Sequence, residues 1–305
     1  MYIPPFTITP KIVNLIAEIS AQTERYAIRM EQEDALLLRK INRIKTIQGS
    51  LAIEGNTLSE SQITDIIEGK HIIAPLREIQ EVKNAIQTYN LYNKLNPFSV
   101  NDLLKAHGTM MMALTDDAGR FRKGGVGVFA GSQLIHMAPP ADRVPNLIVD
   151  LFEWLNKSED HLLIKSSVFH YEFEFIHPFS DGNGRMGRLW QSLILGKLHP
   201  IFEHLPVENM VFANQQGYYH AINQSSTIAN SSPFIEFMLN EILQTLKKRQ
   251  GEVIPGNVGV NVGVNVGVNV GVSEQQVLEL IKKNNRITTK EIAFILSKSA
   301  RQIER

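Results

Sequence analysis

No cysteine occurs among the 305 residues. Disulfides and thiol chemistry are therefore excluded, and the absence fits a cytoplasmic setting. Net charge is missing too: 31 basic residues face 31 acidic ones, so no global field draws the chain to nucleic acid or to a membrane. No run approaches the roughly 20 apolar residues of a membrane span. The opening stretch MYIPPFTITP lacks the basic and apolar regions of a signal peptide. No set of His, Asp and Glu has transition-metal spacing. What remains has the hydrophobic content of an ordinary soluble globular protein, with length for one large domain or two small ones.

Against that background one stretch stands out, HPFSDGNGRMGR from His177 to Arg188. An apolar helical run, SVFHYEFEFI, precedes it. Pro178 biases His177 away from the α region, so that helix should end at about His177. Apolar spacing resumes at Met186, Leu189 and Leu193, which predicts a second helix from near Asn183. A glycine-rich loop feeding a helix N-terminus presents unpaired N–H groups and the positive end of a dipole, an anion site. Arg185 and Arg188 share one helix face in the first turn, where the dipole disfavours cations, and an anion between them removes the conflict. Asp181 would repel phosphate unless a cation intervenes. Mg²⁺ takes one or two carboxylates plus phosphate oxygens. His177, at the rim, has the ordinary chemistry of a general base. Together these residues point to phosphoryl or nucleotidyl transfer.

The stretch matches every fixed position of HPFx[DE]GNGRxxR and so resembles the signature of Fic proteins. Most Fic proteins move AMP from ATP to a Ser, Thr or Tyr hydroxyl of a target protein. The resemblance implies His177 as base, Asp181 as the Mg²⁺ ligand, and an anion hole from the Gly182, Asn183 and Gly184 backbone with the Asn183 side chain. It implies Arg185 and Arg188 on the outer phosphates, and Phe179 as the plug that fixes the loop. A second stretch, SLAIEGN, matches the family's inhibitory motif [ST]xxxE[GN] at Ser50 and Glu54. There the resemblance sets Glu54 against Arg188, in the γ-phosphate position. QQGYYHAINQSS resembles the nucleoside wall, with Tyr219 as the adenosine contact and Tyr218 read equally well as core. Some relatives carry an Asn seven residues after the tyrosine to bond the base; Ser226 stands there here.

In chain order, Thr9 and Pro10 open a helix reaching about Arg29, and a second runs from about Glu33 to Glu54. Gly55 and Asn56 close it as a left-handed cap. Ser59 to Gln62 is a capping box for a short helix. Helices follow over 77–95, from Ser99, over 142–156, 161–176, to about Leu198, within 208–225 and over 232–249. His107, in the helix from Ser99, reads as a satisfied core histidine. Two β-prone runs, VGVF and QLIHM, flank Ala130-Gly131-Ser132 and predict a hairpin. In Fic proteins the hairpin at this place is the flap that pairs with an extended target segment.

The expected fold is all-α, a Fic core with a β-hairpin flap and a small C-terminal helix-turn-helix segment. The domain reading is a helical region with the inhibitory helix over 1–98, the catalytic core over 99–249, a Gly-Val-Asn-Val repeat linker over 250–272, and a partial, winged-helix-like segment over 273–305. That last segment has seven Lys or Arg against four Asp or Glu, only mildly basic. The expected function is self-inhibited, Mg²⁺-dependent protein adenylylation in the cytoplasm. Its partners are ATP and a target protein on the flap, with a homodimer and DNA at a complete C-terminal module left open. Three alternatives stand beside it: removal of AMP with Glu54 positioning a water, transfer of another phosphate-containing group, and a DNA-binding regulator with a Fic sensor core.

Overall fold

The computed structural model describes residues 2–32, 35–130, 133–205 and 211–251. They fall in the unit Met1–Pro255. The readings of a repeat linker and a helix-turn-helix segment lie outside the described residues, apart from the helix end at 250–251.

The architecture is helical. In order come α1 (Pro10–Gln32), α2 (Ala35–Ile53), α3 (Glu60–Ile67), α4 (Leu76–Asn90), α5 (Val100–Met110), the strands β1 (Gly127–Ala130) and β2 (Gln133–Met137), α6 (Val144–Lys157), α7 (Leu162–Ile176), α8 (Asn183–Gly196), α9 (Gln215–Thr227) and α10 (Ser232–Gly251). Among the described residues β1 and β2 form a two-stranded antiparallel sheet, with a register shift between Val128 and Phe129.

Local chemistry sets the boundaries. Ser59 accepts from the Gln62 amide at 3.2 Å while the Gln62 side chain accepts from the Ser59 amide at 3.0 Å, a complete capping box. Ser99 caps α5 through the Asp102 amide. Gly55, at φ +91°, ends α2 in the left-handed conformation.

α7 is the central helix. Its residues are buried on nearly every side, from Leu163 through Val168, Phe169 and Phe173 to Ile176. A helix apolar all round must be enclosed, and α6, α8 and α10 pack against it. Each large side chain taken from water there contributes about 1.5–3 kcal/mol. α1 runs along α10, and the arm ahead of it is tied on by Ser231 N–H to Pro5 O at 2.9 Å and Thr7 N–H to Ser232 Oγ at 2.7 Å. The loop from α7 to α8 thus leaves and re-enters a rigid pair of helices. The end of α2 lies over it.

Candidate active site

The α7–α8 loop is held by bonds to its own backbone and to α5. Asn183 folds back on Phe179: its Oδ1 accepts from the Phe179 amide at 2.9 Å and its Nδ2 donates to the Phe179 carbonyl at 2.8 Å. The side chain expected in the anion hole is therefore engaged in closing the loop instead. Phe179 is fully buried and stacks on His107, with ring centroids 3.6 Å apart. His107 Nδ1 accepts from the Gly119 amide at 2.8 Å, so Nε2 carries the proton and donates to Asp181 O at 3.0 Å. Gly182 sits at φ +85°, and a Cβ there would lie 2.7 Å from Met111 Sδ, so any other residue would be strained in that turn and would press on Met111.

A cavity of about 250 Å³ opens above this loop. His177, Asp181, Gly182, Asn183, Gly184, Arg188, Glu54 and Tyr219 all stand on its walls. Arg185 and Ser50 do not. Arg185 lies beneath the loop, 3% exposed, with Nη2 on Asp181 Oδ1 at 2.8 Å and with Nε and Nη1 buried and unpartnered. Ser50 lies behind Arg188.

Arg188 is bound from the α2 side. Nη2 meets Glu54 Oε1 at 2.7 Å and donates to Ser50 O at 2.9 Å, while Nε donates to Ser50 Oγ at 3.2 Å. Gly184 makes room for this pair, since a Cβ there would lie 2.5 Å from Glu54 Oε1. The two arginines share a helix but not a partner: Arg188 reaches α2, and Arg185 reaches Asp181.

His177 departs from the extended conformation expected before a proline. It caps α7 in the left-handed region, at φ 50° and ψ 62°. Its Nδ1 faces the Glu174 carbonyl at 3.2 Å. A carbonyl only accepts, so Nδ1 carries the proton and the basic lone pair is on Nε2.

Asp181 Oδ1 also accepts from the Gly182 amide at 2.6 Å, and Oδ2 lies 3.3 Å from Arg77 Nη2 on α4. Among the described residues no group of three or more His, Cys, Asp or Glu gathers as a metal site. A lone carboxylate with one oxygen facing only an exposed arginine fits Mg²⁺, whose other ligands would be phosphate and water. The unpartnered Arg185 donors are buried beneath the loop and do not face the cavity.

Sequence reasoning missed several neighbours. Tyr171 is one: it hydrogen-bonds at 3.1 Å on the cavity wall to Ser226, the residue the sequence had placed there. Tyr218 is buried with its hydroxyl 3.1 Å from His170 Nε2, whereas Tyr219 is half-exposed. Arg77 and Arg122 carried no signal, because their partners are distant in sequence. Glu174 could have been suspected from its place one turn before His177.

Burial raises the Glu174 carboxyl to about 7 and pushes His170 down to about 4. The raised acid favours its protonated form in the fold. Its contribution to stability is full below about pH 4.5 and is lost as pH rises through about 7. Glu174→Gln removes that titration alone. The stability of the variant relative to wild type should therefore rise by about 3 kcal/mol between pH 4.5 and 8. Urea unfolding of both proteins across that range measures it, and a pH-independent difference would show Glu174 to be ionised in the fold like a surface acid.

The match to the Fic/DOC family covers residues 97–195, which contain the whole loop. A solved structure of a Fic family protein from Desulfovibrio desulfuricans G20 is 44% identical, covers 98% of this chain and 87% of its own, and superposes with a TM-score of 0.79. The chain belongs to the Fic family. More distant is the "Protein adenylyltransferase Fic" of Nematostella vectensis, 30% identical over 211 residues, which are 63% of this chain and 45% of that protein. The "Protein adenylyltransferase fic-1" of Caenorhabditis elegans is 30% identical over 204 residues. The chain spans less than half the length of these two relatives.

Proposed function

We propose that this Fic protein is a self-inhibited, Mg²⁺-dependent protein adenylyltransferase that moves AMP from ATP to a Ser, Thr or Tyr hydroxyl. The observation that carries the reading is the Glu54–Arg188 pair at 2.7 Å beside the α8 N-terminus, in the same cavity as His177. The names of the two relatives agree with it.

Each residue has a part in that chemistry. At the α8 N-terminus the N–H groups of Asn183 and Gly184, and that of Gly182 once Asp181 releases it, are the donors for the α-phosphate, where charge develops in the transition state. Arg188, once Glu54 releases it, and Arg185, once its buried donors turn to the cavity, hold the outer phosphates. His177 Nε2 takes the proton of the target hydroxyl. The new bond joins that oxygen to the α-phosphorus, the bond to the β-phosphate bridge breaks, and pyrophosphate leaves. Asp181 would hold the Mg²⁺, which neutralises charge on the departing phosphates. The cavity wall at Tyr219 receives the adenosine. The β1–β2 hairpin pairs with the target as an added strand, which leaves side-chain preference loose. No described helix is long and apolar enough to cross a membrane, and we place the reaction in the cytoplasm. The catalytic core is assigned to 99–249, after an inhibitory region over 1–98.

Incubation with ATP labelled at the α-phosphate, with and without a lysate as target source, tests the reading through label incorporated into protein. Asp181→Ala is expected to abolish the Mg²⁺ dependence of incorporation and most of the incorporation itself. A metal titration like that of wild type would reduce Asp181 to a turn residue.

One observation favours the reverse reaction as a second reading. The Glu54 side chain is 31% exposed on the cavity wall, placed to orient a water. Release of AMP from a previously modified protein, lost in Glu54→Gly, would favour hydrolysis over transfer.

A further inference from the structure

Arg122 precedes the hairpin in the polar stretch DAGRFRKGG and is 3% exposed. A buried cation needs compensation, yet Arg122 has no carboxylate partner among the described residues. Its donors go instead to four backbone carbonyls. Nε donates to His177 O at 2.7 Å and Nη1 to Gly124 O at 2.8 Å. Nη2 donates to Pro139 O at 2.6 Å and to Ile176 O at 3.2 Å. The Arg122 amide completes the set on Pro178 O at 3.0 Å.

Those acceptors belong to three separate segments. Ile176 and His177 are the last carbonyls of α7, which have no partner within the helix and carry the negative end of its dipole. Gly124 lies just ahead of β1, and Pro139 just past β2. One planar guanidinium therefore binds the end of the catalytic helix and both feet of the hairpin. The bound conformation is also an unfavourable one. A left-handed conformation is costly for a non-glycine residue, and the proline after it adds restriction. Something must hold His177 there, and Arg122 grips the carbonyls on both sides of it.

We infer that Arg122 is a positioning residue whose guanidinium holds His177 in its left-handed conformation and ties both ends of the β1–β2 hairpin to it. The base and the strand offered to the target then keep one mutual geometry. This deepens the function proposed above and rests on His177 acting as its base. Lysine cannot replace the guanidinium, because three donors on a single point cannot span acceptors in three segments.

The test is Arg122→Lys in the full chain, with histidine labelled by ¹³C. The expected result is a kcat for AMP transfer about 10²-fold lower, as for a misplaced catalytic group. KM for ATP should hold, and KM for the protein target should rise. The His177 Cα and Cβ shifts should move from left-handed towards extended values. Wild-type protein supplies a separate measurement, needed if the lysine variant does not fold. The Nε–H of Arg122, assigned through its own side-chain carbons, should be strongly protected from exchange with solvent.

Three results would overturn the inference: an undiminished kcat, a lower kcat with His177 shifts unmoved, or a wild-type Nε–H that exchanges like an exposed arginine. If the Glu54→Gly protein, freed of the Glu54–Arg188 pair, transfers no AMP at all, the proposed function fails by itself. The carbon shifts and the exchange rate still decide whether Arg122 holds His177.

Discussion

Glu54→Gly is expected to raise self-modification with labelled AMP by about 5–150-fold, the range of a 1–3 kcal/mol coupling between two sites. Arg188 is buried, and Glu54 Oε1 sits 2.7 Å from its Nη2. A guanidinium in that contact cannot also take the outer phosphate of ATP, so carboxylate and nucleotide compete for one group. Glycine at position 54 ends the competition. Arg188 keeps its bonds to Ser50 O and Oγ, so it stays pointed at the cavity. Arg188→Ala should not reproduce the gain, because it deletes the phosphate contact along with the ion pair. The double variant should be as weak as Arg188→Ala alone. Incorporation measured in all four proteins tests the competition. Equal activity of Glu54→Gly and wild type would leave the Glu54–Arg188 pair as a structural contact only.

His177→Ala is expected to lower the rate of transfer by about 10²–10⁴-fold, the usual loss for a general base. Binding of ATP should persist, because the loop N–H groups, Arg185 and Arg188 are untouched. The loss should therefore fall on kcat, with the dissociation constant of ATP close to that of wild type. The same substitution made in the Glu54→Gly background gives the larger signal, since the starting rate is higher there. A fluorescent ATP analogue reports binding, and labelled AMP reports the rate. A double variant that still transfers at the Glu54→Gly rate would remove His177 from the chemistry.

Much of the fold was legible because its determinants are short-range. The capping box at Ser59 and Gln62 acts across three residues, and α7 and α8 are marked by apolar spacing around a glycine-rich break. The loop itself was legible for the same reason. Gly182 is demanded by a left-handed turn against Met111, and Gly184 by the approach of Glu54 and Arg188.

Roles within the loop were less legible. Asn183 reads equally well as a donor to an anion and as a clip, and its two bonds to Phe179 make it a clip. Pro178 restricts His177 but does not say which permitted region it adopts. The left-handed choice follows the carbonyl bonds from Arg122, which begins 55 residues earlier in the chain.

The helical elements, the anion-binding turn and the family resemblance follow from residue types at fixed local spacing, and so could be read before any fold was known. The Glu54–Arg188 contact was already implied by the motif match. Packing chose the other buried partner: Arg122 found carbonyls from three segments instead of a carboxylate. Partners of that kind are chosen by burial: a charge enclosed by packed helices must take whatever acceptor the neighbouring segment presents. Local spacing holds no record of which segment that will be.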